Sequence, residues 1–200
     1  MSQVVLDITM SLDGFVAAPN DGPGHGLGDD GECLHYWVFG GPWTYGEAHQ
    51  ERPGATGVDR EVIDELMEAG AAVVGRRMYD VTDGWGGKPP FGVPCIVVTH
   101  RLGDQPEPAS GFEFVDSIEA AVDRARQIAG DRHVGIGGGA SIAQQALQAQ
   151  LVDELQIHIA PVILGAGRPL FGELGTRLRL ERTRVLDSPF ATHIKFRVRK

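Results

Sequence analysis

Two hundred residues, 42% hydrophobic and 22% charged, are enough to bury a substantial core and ordinary for a globular chain. A net charge of −9 argues against nucleic acid or an anionic membrane as partner, because both repel a broadly acidic surface. No apolar run approaches the roughly 20 residues of a membrane helix, no basic-then-apolar leader opens the chain, and two distant cysteines, Cys33 and Cys95, suit a reducing cytoplasm.

Val4 to Thr9 reads as the first strand. Residues 18–57 are rich in Gly, Pro, Asp, His and aromatics, without helical or alternating period, and a loop that long is usually functional or a lid. Val58 to Ala69 reads as a helix with Val58, Val62, Ile63 and Leu66 on one face and Gly70 at its end. Ala71–Val74, apolar on both faces, suits the middle of a parallel sheet, as does Pro94–Thr99, and Phe112–Val115 follows as a fourth strand. Ser117 caps a helix running to Ala129. Next comes His133-Val134-Gly135-Ile136-Gly137-Gly138-Gly139-Ala140-Ser141-Ile142, a short strand entering three glycines and a helix from Ser141 to Gln150. A strand over Glu154–Ile159 and a hairpin of Arg177–Val185 with Thr192–Arg199 close the chain. Strands alternating with helices predict an α/β sheet with an antiparallel edge.

Three strand ends carry the chemistry. At Gly137-Gly138-Gly139 the backbone can approach a ligand closely, and the first-turn N–H groups of the next helix favour an anion; a tight packing turn is the alternative. A Rossmann reading of Gly135, Gly137 and Ala140 is disfavoured, because such a turn belongs after the first strand and here lies beyond residue 130. Gly75-Arg76-Arg77 and Thr99-His100-Arg101 end two other strands, where open α/β sheets bind ligands. Together they suit a ligand with several phosphates, such as an adenine dinucleotide with a 2′-phosphate; each arginine pair can also be an ordinary surface pair.

These motifs resemble a known family. Thr9-Met10-Ser11-Leu12-Asp13-Gly14, Val74 to Tyr79, Val98 to Arg101 and Gly137 to Gly139 are similar, in order and spacing, to the dihydrofolate reductase-like fold. Asp153-Glu154-Leu155, Ile159 to Gly165 and Pro169-Leu170-Phe171 resemble one branch of it: the reductase domain of the bifunctional riboflavin-biosynthesis deaminase–reductase, and its stand-alone relatives. The resemblance covers nearly the whole chain except 19–57, a long loop insertion in what then reads as one reductase domain over 1–200. It implies a three-layer α/β fold with a mostly parallel eight-stranded sheet, NADPH as cofactor, a small heterocyclic substrate and a homodimer. By position, Gly75, Arg76, Arg77, Thr99 and Arg101 would surround the 2′-phosphate. Gly137, Gly138, Gly139, Ser141 and Ile142 would line the pyrophosphate, and Ser11, Asp13 and Gly14 would sit by the nicotinamide. Ala160, Pro161, Leu164 and Gly165 would form the opposite wall of the substrate pocket. The activity implied is reduction of 5-amino-6-(5-phosphoribosylamino)uracil; the alternatives are a dihydrofolate, pterin or other carbonyl reductase, or a nucleotide-binding module without turnover.

Asp13 and Asp59 are the candidate proton donors, beside water. Asp59 precedes Gly75 by the interval at which folate enzymes carry a pterin-binding carboxylate; an acidic residue stabilised by the helix dipole is the plain alternative. Trp37, with Tyr36, Phe39 and Trp43, packs the insertion down as a lid or lines a flat aromatic pocket. If the substrate is a ribotide, Lys88, Arg168 and His25 are the cations available to its phosphate. His25, Cys33, His35 and His49 lack any compact metal-ligand spacing, so no metal is expected. The chain also lacks the H-x-E…P-C-x-x-C deaminase signature.

Overall fold

Eight strands form one sheet in a computed structural model that describes residues 2–46, 52–172 and 174–199. In chain order the strands are β1 (Val4–Ser11), β2 (Phe15–Ala17), β3 (Ala71–Gly75), β4 (Cys95–Val98), β5 (Phe112–Val115), β6 (Val134–Gly137), β7 (Glu154–Ala160), β8 (Arg168–Pro169), β9 (Arg179–Asp187) and β10 (Thr192–Arg199). The helices are α1 (Tyr36–Phe39), α2 (Gly57–Met67), α3 (Arg76–Val81), α4 (Ile118–Ala129) and α5 (Ala140–Gln148). The sheet order is β5-β4-β3-β6-β1-β7-β10-β9, parallel as far as β7 and antiparallel across β10 and β9; β2 and β8 pair separately. Among the described residues no helix is long and apolar enough to cross a membrane.

Side-chain alternation divides the core. Val73, Ile96 and Val98 face α4 and α5, whose Val122, Ala125, Ile142 and Ala146 bury against them. Ala72, Val74, Cys95 and Val97 face the other way, toward Met78, Tyr79 and Trp85. All five residues of β3 are buried, as the run apolar on both faces predicted. Ser117 caps α4, its side chain accepting from Ala120 N, so the capping expectation holds.

Three expectations are corrected. The insertion is not structureless: Gly31–His35 forms a 3-10 turn leading into α1, and Leu34 and Trp37 are 0% and 3% exposed. Elements of four or five residues are too short to display a period, so burial, not patterning, forms them. The glycine-rich helix starts at Ala140 and ends at Gln148, after Gly139 at φ 89°. The hairpin's first strand runs over Arg179–Asp187 rather than Arg177–Val185, and a register shift between Lys195 and Phe196 lets Val198 join the core while Leu180 and Val185 stay 43% and 47% exposed.

Candidate functional site

The parallel strands bring three distant motifs to one edge. β3, β4 and β6 end side by side, so Gly75-Arg76-Arg77, Thr99-His100-Arg101 and Gly139-Ala140-Ser141-Ile142 converge on a groove of about 690 Å³. Gly75 permits this closeness: a Cβ there would lie 2.7 Å from Ile142 Cγ1, so the glycine lets α5 dock on the strand end. No side chain caps α5, which leaves its first-turn N–H groups open to an anion. Arg76 Nε donates to Asp80 Oδ1 at 2.7 Å and a terminal nitrogen to Asp104 Oδ2 at 3.1 Å. Its other terminal nitrogen is buried with no partner among the described residues. A buried orphan cationic donor beside a helix N-terminus suits a phosphate. Arg101 also pairs with Asp80, and Thr99 Oγ1 accepts from Arg101 N at 3.0 Å.

A second cavity of about 480 Å³ opens alongside, between α2, α3 and the insertion. Groove and cavity share Arg77, Met78, Gly139 and Arg168. Where they meet, Arg77 and Arg168 both bind Asp21, at 2.9 Å and 2.7 Å. Burial pushes the Asp21 carboxyl up, but those two guanidiniums outweigh it and hold it below the usual carboxylate range. Trp37, Phe39, Trp43 and Tyr45 line the cavity, and the Trp43 indole N–H is buried without a partner among the described residues. His35 lines it too; burial, reinforced by His158, pushes its imidazole down to about 4, so the ring is neutral at pH 7.

Of the residues singled out in the sequence, Gly75, Arg76, Arg77, Thr99, Arg101, Gly139, Ser141 and Ile142 line the groove, and Gly137, Gly138 and Trp37 line the cavity. Gly138 is tightly constrained: at φ 66°, a Cβ would sit 1.6 Å from Met78 Sδ. Asp13, Ser11, Gly14, Leu164 and Gly165 come together, but outside both spaces. Asp13 Oδ1 accepts from Ser11 Oγ at 2.6 Å and Leu164 N at 3.1 Å, and Oδ2 from Gly165 N at 2.7 Å. The Ser11 bond foremost, joined by the two backbone bonds, holds its carboxyl below the usual range against the opposing effect of burial. Three hydrogen bonds make Asp13 a clamp on the loop after β7, while Leu170 N donates to Gly14 O at 2.8 Å. Ala160 is fully buried, and neither it nor Pro161 lines the cavity. Asp59 is also turned away: it is 4% exposed and its Oδ1 meets His193 Nε2 at 2.7 Å.

Sequence reasoning passed over Asp7, Asp21, His158 and His193. Asp7 and His158 alternate with apolar residues in their strands, and a polar residue facing into a sheet layer was the available signal. Among the described residues no group of three or more His, Cys, Asp or Glu is placed to hold a metal; His49 lies outside them.

The fold defines a class, the dihydrofolate reductase-like α/β proteins. A structure of dihydrofolate reductase from Enterococcus faecalis, complexed with NADP(H), superposes with a TM-score of 0.64 at 16% identity, over 99% of this chain and 97% of that one. A putative riboflavin biosynthesis protein from Shewanella sp. PV-4 gives 0.67 at 20% identity over the full length of both. The deaminase/5-amino-6-(5-phosphoribosylamino)uracil reductase of Thermotoga maritima gives 0.61 at 14%, over 98% of this chain and 56% of that one. Within the class, the RibD C-terminal domain model matches residues 2–191, and the chain belongs to that family of reductase domains. Two uncharacterized Bacillus subtilis proteins, YwjB and YyaP, are 34% and 35% identical over 80 and 75 residues. The matched segment spans 45% and 39% of those relatives' lengths.

Proposed function

We propose that the chain is an NADPH-dependent reductase of a small heterocyclic compound, most like 5-amino-6-(5-phosphoribosylamino)uracil reductase, acting as a cytoplasmic homodimer. The observation that carries this reading is the junction of a phosphate-suited groove with an aromatic cavity, through Arg77, Met78, Gly139 and Arg168. The groove fits the dinucleotide. Arg76 has a donor free for the 2′-phosphate, and a Cβ on Gly137 or Gly139 would project into open space, so both glycines leave room for a pyrophosphate. NADPH, when bound, supplies a hydride from its nicotinamide.

The chain's own residues hold donor and acceptor together and exclude water, which accounts for most of the barrier reduction in hydride transfer. Aromatic walls at Trp37, Phe39 and Trp43 favour a flat ring. The unpaired Trp43 N–H calls for an acceptor on it. A ribotide phosphate would meet Arg168 or Arg77 at the mouth, each already sharing Asp21.

The test is NADPH oxidation by the purified protein against aminopyrimidine ribotides, dihydropterins and simple carbonyls, with equilibrium binding of NADPH and NADH alongside. Turnover of a ribotide with preference for NADPH is the expected result. Binding without turnover of any compound would overturn the enzyme reading in favour of a nucleotide-binding module.

A further inference from the structure

Four titratable side chains form one hydrogen-bonded line behind the cavity. Asp7 Oδ1 lies 3.1 Å from His158 Nε2, His158 Nδ1 lies 2.7 Å from His193 Nδ1, and His193 Nε2 lies 2.7 Å from Asp59 Oδ1. Strand register builds the line: Thr9 pairs with His158 on β1 and β7, and His158 with His193 on β7 and β10. His158, His193 and Asp59 are 0%, 3% and 4% exposed, whereas Asp7 opens on the cavity floor. Trp37 closes over both imidazoles, its ring 4.3 Å from His158 and 5.0 Å from His193, anchored by its N–H on Thr9 Oγ1 at 3.0 Å.

The distances dictate a proton count. An ionised Asp59, and an Asp7 that is either ionised or carries its proton on Oδ2, each offer only an accepting Oδ1, so the Nε2 facing each carries hydrogen. Two bare Nδ1 lone pairs at 2.7 Å would repel, so another proton lies between them. Two rings holding three protons share one positive charge, and that charge changes rings when one proton crosses one short bond. Few other groups compete for it. His35 faces His158, but burial pushes it down to about 4 and leaves it neutral at pH 7; burial also lowers His133, which Asp7 opposes. Lys195, beside His193 on β10, pairs with Glu154 at 3.1 Å and Glu65 at 3.9 Å.

Resting on the reductase reading, we infer that Asp7 is the acid that protonates the substrate, and that the histidine pair carries a movable charge that follows the ionisation of Asp7. Asp7 Oδ2 has no hydrogen-bond partner among the described residues and is the oxygen available to substrate. The acting form is the one that carries its proton on Asp7 Oδ2 and the imidazolium charge on His193, against Asp59. A hydride arriving on a substrate carbon leaves an electron pair on the neighbouring heteroatom. The Asp7 O–H bond breaks, its electrons stay on oxygen, and the proton bonds to that heteroatom. The shared proton then crosses from His193 Nδ1 to His158 Nδ1, setting the imidazolium against the new Asp7 carboxylate. Burial lowers His193 from the ordinary imidazole range, and the Asp59 hydrogen bond opposes that. Water returns one proton to Asp7 after product leaves.

Two readouts test this, and only one needs turnover. In ¹⁵N-labelled protein, His158 Nδ1 should change from a bare to a protonated ring nitrogen as Asp7 ionises, with the opposite change at His193. Asp7→Asn, nearly isosteric and permanently neutral, should freeze both shifts in the Asp7-protonated pattern. Ring nitrogens that are indifferent to Asp7→Asn overturn the movable charge. With a compound that the wild-type protein reduces, Asp7→Asn should lower kcat by about a hundredfold or more, leave KM nearly unchanged and abolish the solvent isotope effect. His193→Gln, which keeps a hydrogen bond but carries no charge, should lower kcat by about tenfold. An Asp7→Asn protein within about threefold of wild-type kcat overturns the acid role. If the wild-type protein reduces none of the compounds, the reductase reading and the acid role fall together, and the nitrogen shifts alone decide the movable charge.

Discussion

Gly138 and Arg76 show how much a single residue decides here. A Cβ at Gly138 would collide with Met78 Sδ in a left-handed backbone, so the glycine serves packing as well as access. Gly138→Ala should lose about 1–3 kcal/mol of stability, a fall in Tm of very roughly 2–12 °C. Adding Met78→Ala should restore part of that loss by clearing the collision, while the backbone strain stays; thermal unfolding of the single and double variants checks both. Arg76 has the opposite character: it lines the groove and keeps one buried donor without a partner among the described residues. Arg76→Ala should weaken NADPH binding by about tenfold or more and NADH binding little, because only NADPH loses a charge-assisted phosphate bond. Equal weakening of both cofactors by calorimetry would move the 2′-phosphate elsewhere. Trp43→Phe keeps the ring contacts to Phe39 and Tyr45, at 5.0 and 4.9 Å, but removes the unpaired N–H. It should raise substrate KM by up to about tenfold and leave NADPH affinity unchanged.

Two elements hold the cavity's outer wall. The insertion does so through Leu34, Trp37 and Trp43, which bury as core side chains do. Removing residues 25–45 would therefore uncover His158 and His193 and unfold the neighbourhood, so point substitutions are the sound probe of its role. α2 is tied to the sheet edge by a two-pronged bond from Arg184 to Glu65, one prong at 2.6 Å. The Arg184 hydrogen bond, ahead of the opposing burial effect, lowers the Glu65 carboxyl from its ordinary 4.5. A depressed carboxyl stabilises the fold above its unfolded value and loses that contribution as pH falls through the folded one. Glu65→Gln should therefore cost about 0.5–1 kcal/mol at pH 7, discounted for a partly exposed pair, and the deficit should vanish in acid. Thermal unfolding of both proteins across pH 3–7 checks the sign, and added salt should shrink the difference.

The eight-stranded sheet ends at β9, where Leu180 and Val185 are exposed on the outermost strand. β9 is otherwise charged, and these two exposed apolar side chains on the sheet's outermost strand are what another copy could cover, which is the physical argument for the homodimer. Light scattering at micromolar concentration should return twice the chain mass, and Leu180→Asp with Val185→Asp should return the single mass. A wild-type protein of single mass at that concentration rules the dimer out.

Strand and helix positions were legible in the sequence wherever a local pattern repeats long enough to be read. The buried run of β3, the capped α4 and the glycine-rich entry to α5 each declare themselves within about a dozen residues. The groove was legible for the same reason, since strand-end motifs in a parallel sheet must meet at one edge. The tertiary structure alone decided the rest. Asp13 and Asp59 look like free acids in sequence, and only folding supplies the Ser11, Leu164, Gly165 and His193 partners that occupy them. The insertion's short helices follow from burial of Leu34 and Trp37. The line from Asp7 to Asp59 joins β1, β7, β10 and α2 across separations of up to 151 residues. Hydrogen bonds over such distances depend on register, and register is a property of the packed sheet.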